Sequence, residues 1–270
     1  MALKMAMVNR KFSVRGFYSA FRFCWDDTFE FSGESHDFWE IVFLESGEVE
    51  STEDEKVYLL RENSLILHAP MEFHRIRSAQ GSSPRGFIMT FKTEGSLPEE
   101  LKNGVFRLHA DERAEYGAIC MNILDVMNRR DDEFGLQQAA DRLSAFLIRL
   151  SGKTVHKDLV HSGGAEAYRQ VISDMTERIS ENLTLSDFAK RQSISVSYLK
   201  LLFRDYAGIS PKTYYNQLRT KHAVKLIEQN LPLAEIAEKM NFSSQNYFTV
   251  FFRKHMGCSP SEYRKKSKTL

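Results

Sequence analysis

Gln245 and Asn246 stand side by side at the start of a segment that continues through Thr249, Val250 and Arg253. Each amide carries a donor and an acceptor on one planar head, the pairing that matches the major-groove edge of adenine. Forty-nine positions earlier, Val196, Ser197, Lys200, Leu201 and Arg204 recur with the same spacing. On a helix each set lies along one face. Arg204 and Arg253 fall a turn further on, where a guanidinium suits phosphate. Leu201 and Val250 can touch a thymine methyl but cannot bind guanine. On any surface helix the same amides would simply be solvated, and Arg204 could cap its own helix. Context has to choose.

That context is a duplication. Leu185, Ala189, Ile194, Ser195, Tyr198, Phe203, Arg204, Gly208, Ser210, Pro211 and Tyr214 are repeated as Leu233, Ala237, Phe242, Ser243, Tyr247, Phe252, Arg253, Gly257, Ser259, Pro260 and Tyr263. The offset is 48 up to the serine and 49 after it, one residue having been gained at the turn. Each copy reads as helix, turn, helix. The buried faces of the second helices should be Leu199, Leu202 and Phe203, and Phe248 with Phe251 or Phe252. Ser195 and Ser243 are the expected N-caps, and Thr184 with Asp187 forms a capping box. Gly208 and Gly257 end helices, and Ser210-Pro211 and Ser259-Pro260 restart them. A helix from Pro211 to about Gln229 should join the copies rigidly. Ahead of them, Tyr168, Val171, Ile172, Met175 and Ile179 form one helical stripe.

The chain has 270 residues, 42% hydrophobic, which suggests two domains. Its formal charge of +1 hides an imbalance: residues 165–270 carry +7 and residues 1–164 carry −6. A basic tail is what phosphate contact needs, although a solvated surface would look the same. Cys24, Cys120 and Cys258 form no metal-type pair and read as reduced thiols. No run approaches the roughly 20 apolar residues of a membrane span. Asn9, Arg10 and Lys11 interrupt any signal-peptide core, so a cytoplasmic location is expected.

From Phe12 to about Phe91 the sequence reads as strands. Phe17, Ser19, Phe21, Phe23 and Trp25 share one parity; Trp39–Leu44, Val57–Leu60, Leu65–Leu67 and Phe87–Phe91 are further runs. Ser32-Gly33, Ser46-Gly47, Glu62-Asn63 and Gly81-Ser82-Ser83-Pro84 supply turns. Short strands with tight turns imply an antiparallel barrel or sandwich. Two helical stripes follow, from Tyr116 to Met127 and from Leu136 to Leu150, to be packed on the barrel or on a second copy of the chain. The expected fold is α+β in two domains: a cupin-like barrel at 1–110, connecting helices at 111–151 that could mediate dimerisation, a linker at 152–166, and an all-α double helix-turn-helix domain at 167–270.

The tail resembles the DNA-binding domain of AraC-type transcription regulators. The residues that carry the likeness are Leu185–Pro211, Ile236-Ala237 through Asn241-Phe242, Tyr247-Phe248, Phe252-Arg253-Lys254, Gly257 to Pro260 and Tyr263-Arg264. The resemblance implies two helix-turn-helix motifs reading adjacent major-groove segments. It carries contact roles onto Val196, Ser197, Lys200 and Arg204, and onto Gln245, Asn246 and Thr249. The sequence departs from the family at Leu201 and Val250, where arginine is common, and at Asn241, which replaces glycine before Phe242. Asparagine tolerates the left-handed backbone such a turn requires.

In the N-terminal half, Gly33, His36, Glu40 and Gly47 look like a first cupin motif, and Pro70 with His74 like part of a second. His36, Phe38 and Glu40 share parity and, with His74 from a neighbouring strand, should line the barrel interior. Phe21, Phe23 or Trp39 could add aromatic stacking. Three readings stand at this point. The barrel is a pocket for a small-molecule effector, by family resemblance a carbohydrate, lined by His36, Phe38, Glu40, His74 and Phe21. Alternatively the histidines are hydrogen-bonded barrel residues and the barrel only dimerises. In the third reading, His36, Glu40 and His74 hold an enzyme's metal, although Phe38 stands where metal cupins carry another histidine. The sequence favours the first: a non-enzymatic, homodimeric regulator that binds double-stranded DNA and a small molecule, with no cofactor or bound metal.

Overall fold

The computed structural model describes residues 10–95, 97–102, 104–129, 132–153 and 159–267. Asn9 and part of the expected linker, 154–158, lie outside the described residues. The chain forms two compact units, one built chiefly from residues up to Val160 and the other chiefly from His161 onward.

The first unit contains β1 (Phe12–Cys24), β2 (Trp39–Ser46), β3 (Val49–Glu53), β4 (Lys56–Leu60), β5 (Ser64–His68), β6 (His74–Ser78), β7 (Arg85–Gly95) and β8 (Val105–Arg107). They form a sheet ordered β1-β7-β2-β5-β8 and another ordered β4-β3-β6. Pairing is antiparallel throughout the registered pairs. Positive φ at Gly47 and Asn63 turns the chain where the sequence placed tight turns. Between the sheets lies an apolar core of Phe23, Val42, Leu44, Val49, Ile66, Ile76, Ile88 and Val105.

Strands β3 and β8 were not expected, and β6 was expected only as a strand carrying His74, without bounds. The β3 sequence Val-Glu-Ser-Thr-Glu and the β6 sequence His-Arg-Ile-Arg-Ser are polar, so no apolar run marks them. Yet Ser51, Thr52, Glu53, His74 and Arg75 are all buried. β8 has only 3 residues, too few for a pattern. A second correction concerns β1. Its register slips between Phe17 and Ser19, Phe17 pairing with Phe91 and Ser19 with Thr90. This irregularity turns Phe17 to the opposite face from Ser19, Phe21 and Phe23, so the single parity expected for them is broken.

The other face of the five-stranded sheet is covered by α1 (Ala110–Asn128) and α2 (Glu133–Leu150). Tyr116, Ile119, Cys120 and Ile123 of α1 meet Leu143, Phe146 and Leu147 of α2 over Ile41, Phe43, Met89 and Phe91. Each such large apolar side chain contributes about 1.5–3 kcal/mol on burial. Ser144 ties α2 to the sheet, its hydroxyl accepting from the Val14 amide at 2.9 Å. These helices therefore pack on the barrel.

The second unit is all helical: α3 (Gly163–Glu177), α4 (Leu185–Arg191), α5 (Val196–Tyr206), α6 (Pro211–Glu228), α7 (Leu233–Lys239), α8 (Gln245–Met256) and α9 (Pro260–Ser267). Helix α3 begins within the segment expected as linker, because the Ser162 side chain accepts from the Ala165 amide and caps it. The Thr184–Asp187 capping box forms as expected, and Gly208 and Gly257 adopt positive φ at helix ends.

Candidate nucleic-acid interface and barrel pocket

The two helix-turn-helix turns close by the same hydrogen bonds. The Ile194 amide donates to the Ala189 carbonyl at 3.0 Å, and the Phe242 amide to the Ala237 carbonyl at 2.8 Å. One residue earlier, Ser193 and Asn241 both sit in the left-handed region, at φ 54° and 53°. The substitution of asparagine for glycine is thus accommodated, as its side chain permits. The recognition helices are then capped by Ser195, accepting from the Tyr198 amide at 3.0 Å, and Ser244, accepting from the Tyr247 amide at 3.1 Å. The expected cap Ser243 is therefore wrong by one position. The extra residue lies ahead of the cap, so Ser195 is equivalent to Ser244.

Behind the caps, Leu199, Leu202 and Phe203 of α5 are buried, as are Phe248 and Phe252 of α8, while Phe251 is half-buried against Phe242. The opposite faces are open. Ser197, Lys200, Leu201 and Arg204 are exposed and Val196 is half-buried; Gln245, Asn246, Val250 and Arg253 are exposed and Thr249 is half-buried. Val250 is 65% exposed. Two residues that the sequence reading did not include join these faces: Tyr198 and its equivalent Tyr247, 37% and 58% exposed. Their occurrence at matching positions of the duplication was the signal available. Two hydrogen bonds limit the set: Thr249 Oγ1 donates to the Gln245 carbonyl, and Arg204 Nε donates to Asp205.

Buried polar contacts hold the frame. Asp174 of α3 accepts from Arg178 and, with both carboxylate oxygens, from Arg191 at the end of α4. Burial pushes its pKa up, but the bonds from Arg191 and Arg178 outweigh it and the carboxyl titrates below its ordinary value. In the second repeat, Arg219 of α6 is buried, bonds the Met240 carbonyl beside the turn and Asn182, and lies 4.4 Å over the Phe242 ring. Helix α6 contacts α5, α7, α8 and α9, so it positions both motifs.

In the barrel, the pleat sets polar residues in one row. Ser19 pairs with Thr90, Thr90 with Glu40, and Glu40 with His68, across β1, β7, β2 and β5. In the other sheet Glu53 pairs with His74. The sequence reading brought His36, Phe38, Glu40 and His74 together, and they do meet. His36 stacks on Phe38 at 3.8 Å and lies 4.0 Å from Glu40, whose carboxylate is 3.6 Å from His74 Nε2. The means differ from expectation: His36 and Phe38 lie in the connection just before β2 rather than on the strand. Tyr18 extends the ring series, 4.6 Å from Phe38.

The aromatic candidates need correction. Phe21 shares the interior-facing side of β1 but is 45% exposed. Trp39 pairs with Phe91 and is buried in the core beneath the helices, on the opposite face from Glu40. Phe23 belongs to the apolar core and stacks on Trp25 at 3.8 Å. Sequence reasoning also missed Glu53, His68 and Glu72, which are buried beside His74. Burial, and then the nearby His36, push His68 down to about 3; burial followed by His68 and His36 pushes His74 down too. Both rings are neutral at physiological pH.

Comparison with known proteins agrees with this division. An AraC-like ligand binding domain matches residues 21–118 and a helix-turn-helix domain matches residues 188–266. The transcriptional regulatory protein HptR of Staphylococcus aureus is 30% identical over 99 residues, 37% of this chain and 39% of that protein. This chain thus covers well under half the length of several of its curated relatives. The HTH-type transcriptional regulator YfiF of Bacillus subtilis is 26% identical over 251 residues, covering 85% of this chain and 77% of that one. Among solved structures, ToxT of Vibrio cholerae aligns over 94% of this chain and 98% of its own at 15% identity, with a TM-score of 0.38. No helix among the described residues is long and apolar enough to cross a membrane. The chain belongs to the AraC family of transcription regulators, a family without enzymatic activity, and joins an AraC-like ligand-binding domain to a helix-turn-helix DNA-binding domain.

Proposed function

We propose that this regulator acts in the cytoplasm as a homodimer, inserting α5 and α8 of each copy into successive major-groove segments of its operator. The observation that carries the reading is the pair of equally capped helices whose outer faces are open over buried apolar ones. Gln245 and Asn246 read adenine edges, Ser197 hydrogen-bonds a base, and Val196, Leu201 and Val250 meet thymine methyls. Lys200, Arg204 and Arg253 contact phosphate, and Thr249 adds a short-range contact. Both helices can enter one face of the duplex if they stand about 34 Å apart. Footprinting with the intact chain should reveal two protected major-groove segments one turn apart for each copy. Protection of a single segment would refute the two-pronged reading.

For the barrel, we infer a small-molecule effector of the carbohydrate class, bound among His36, Phe38, Glu40 and His74, with Phe21 at the rim. Aromatic rings beside a carboxylate and an imidazole suit a ligand with an apolar ring face and hydroxyl groups. Ligand binding then shifts the arrangement of the two copies, which requires different affinity for the two arrangements. A thermal-shift screen of sugars tests this, with Glu40→Gln abolishing the response. Pairing of the copies through α1 and α2 is supported by the exposure of Met121, Phe134 and Ile148. Ile148→Glu should convert dimer to monomer in sedimentation.

A further inference from the structure

At the polar end of the barrel, Glu53 of β3, His68 at the end of β5 and Glu72 in the turn before β6 bring one donor atom each to within 4.8 Å of the others. All three are buried, His68 completely. Neither ring nitrogen of His68 has a hydrogen-bond partner among the described residues. Such isolation is costly for a buried polar group and calls for a ligand. His68 Nδ1 nevertheless lies 2.9 Å from Glu53 Oε1, at an angle that makes no hydrogen bond. A tetrahedral ion with bonds of about 2.05 Å sets its donor atoms about 3.3 Å apart, so this pair has to open by only about 0.4 Å to share one.

The surroundings suit a metal as well. An imidazole ring nitrogen supplies a lone pair for coordination. Glu72 is oriented by accepting from the Ala69 amide at 2.8 Å, and His74 stacks on His68 at 4.4 Å with the rings 10° from parallel, fixing its plane. One imidazole with two carboxylates favours a borderline divalent ion, whereas calcium and magnesium require more oxygen ligands.

We propose that Glu53, His68 and Glu72 bind one divalent transition-metal ion of the zinc type inside the barrel. Such an ion links β3, in one sheet, to β5 and its following turn, in the other, at the end where His36, Glu40 and His74 gather. The inference stands on barrel geometry and is independent of the DNA and effector readings.

The test uses the intact chain, stripped with chelator and titrated with cobalt(II). We expect one equivalent to bind with a visible d–d absorption band, zinc to displace it, and the thermal midpoint to rise with occupancy. His68→Gln and Glu72→Gln should each weaken cobalt binding at least tenfold, while Cys24→Ser leaves it unchanged. If His68→Gln fails to fold, as judged by circular dichroism, Glu72→Gln alone decides. The absence of a cobalt band in the unmutated chain would overturn the site. So would a band retained in Glu72→Gln. DNA affinity of the metal-free chain, measured alongside, reports separately on the helix-turn-helix reading.

Discussion

In the first repeat the recognition helix begins Val196-Ser197-Tyr198; in the second it begins Gln245-Asn246-Tyr247. Behind these faces the repeats keep their apolar, turn and stop positions in register. Leu199 corresponds to Phe248, Phe203 to Phe252, the helix-ending Gly208 to Gly257, and the left-handed Ser193 to Asn241. Frame and reading face have therefore diverged independently. The frame answers to packing and backbone geometry, which tolerate little change. The outer face is mostly exposed and is not held by such packing. The second helix carries the amides capable of bidentate base contact, while the first carries a hydroxyl, an ammonium and apolar groups. On the proposed reading, the second repeat should supply most of the sequence discrimination.

That asymmetry can be broken or sharpened in order of effect. Phe203→Ala and Phe252→Ala should each cost about 3–5 kcal/mol in denaturant unfolding, the same in both repeats, because equivalent cavities are opened. Markedly unequal losses would show that the frames are not equivalent. Asn246→Ala should cost about 1–3 kcal/mol against the preferred operator and relax preference at one base pair. Ser197→Ala, which removes a single neutral hydrogen bond, should cost about 0.5–1.5 kcal/mol in the same binding assay. Equal loss on all DNA sequences for Asn246→Ala would remove its base-reading role. Arg204→Ala and Arg253→Ala should instead weaken every sequence alike, each lowering the salt-dependence slope by about 1.

Smaller effects test the displaced insertion. Ser244→Ala should destabilise by about 1 kcal/mol, as a lost N-cap does, whereas Ser243→Ala should stay within about 0.5 kcal/mol. The reverse pattern in thermal unfolding would restore the cap to Ser243. Ser193→Gly should stabilise by a few tenths to about 1 kcal/mol, since glycine relieves the positive φ but gains entropy when unfolded. Asn241→Gly should gain less, asparagine being already tolerant of that conformation.

The helical unit was legible because its information is local. Caps, stops and apolar stripes are separated by three to eleven residues, within reach of a pattern read along the chain. Its errors lie at helix ends: α3 begins inside the expected linker and stops at Glu177, before Ile179, and Ser244 rather than Ser243 is the cap, where two serines compete and only the turn's path selects between them. In the barrel, β2, β5 and β7 were visible as apolar runs, while polar residues hid β3 and left β6 marked only by the motif histidine His74. His36, Glu40 and His74 were found through motif spacing. Glu53, His68 and Glu72 carry no such spacing and went unseen.

The amino-acid sequence by itself determined the duplicated frame, its helix ends, the outward residues of α5 and α8, and the β-rich character of the first half. Tertiary structure alone decided which barrel face each residue takes, because the slip after Phe17 reverses the side-chain alternation. It also decided that Glu53, His68 and Glu72 converge. Antiparallel pairing and the packing of two sheets bring together side chains whose positions along the chain follow no shared period. A helix writes its neighbours every three or four residues; a barrel writes them only once its strands have found their register.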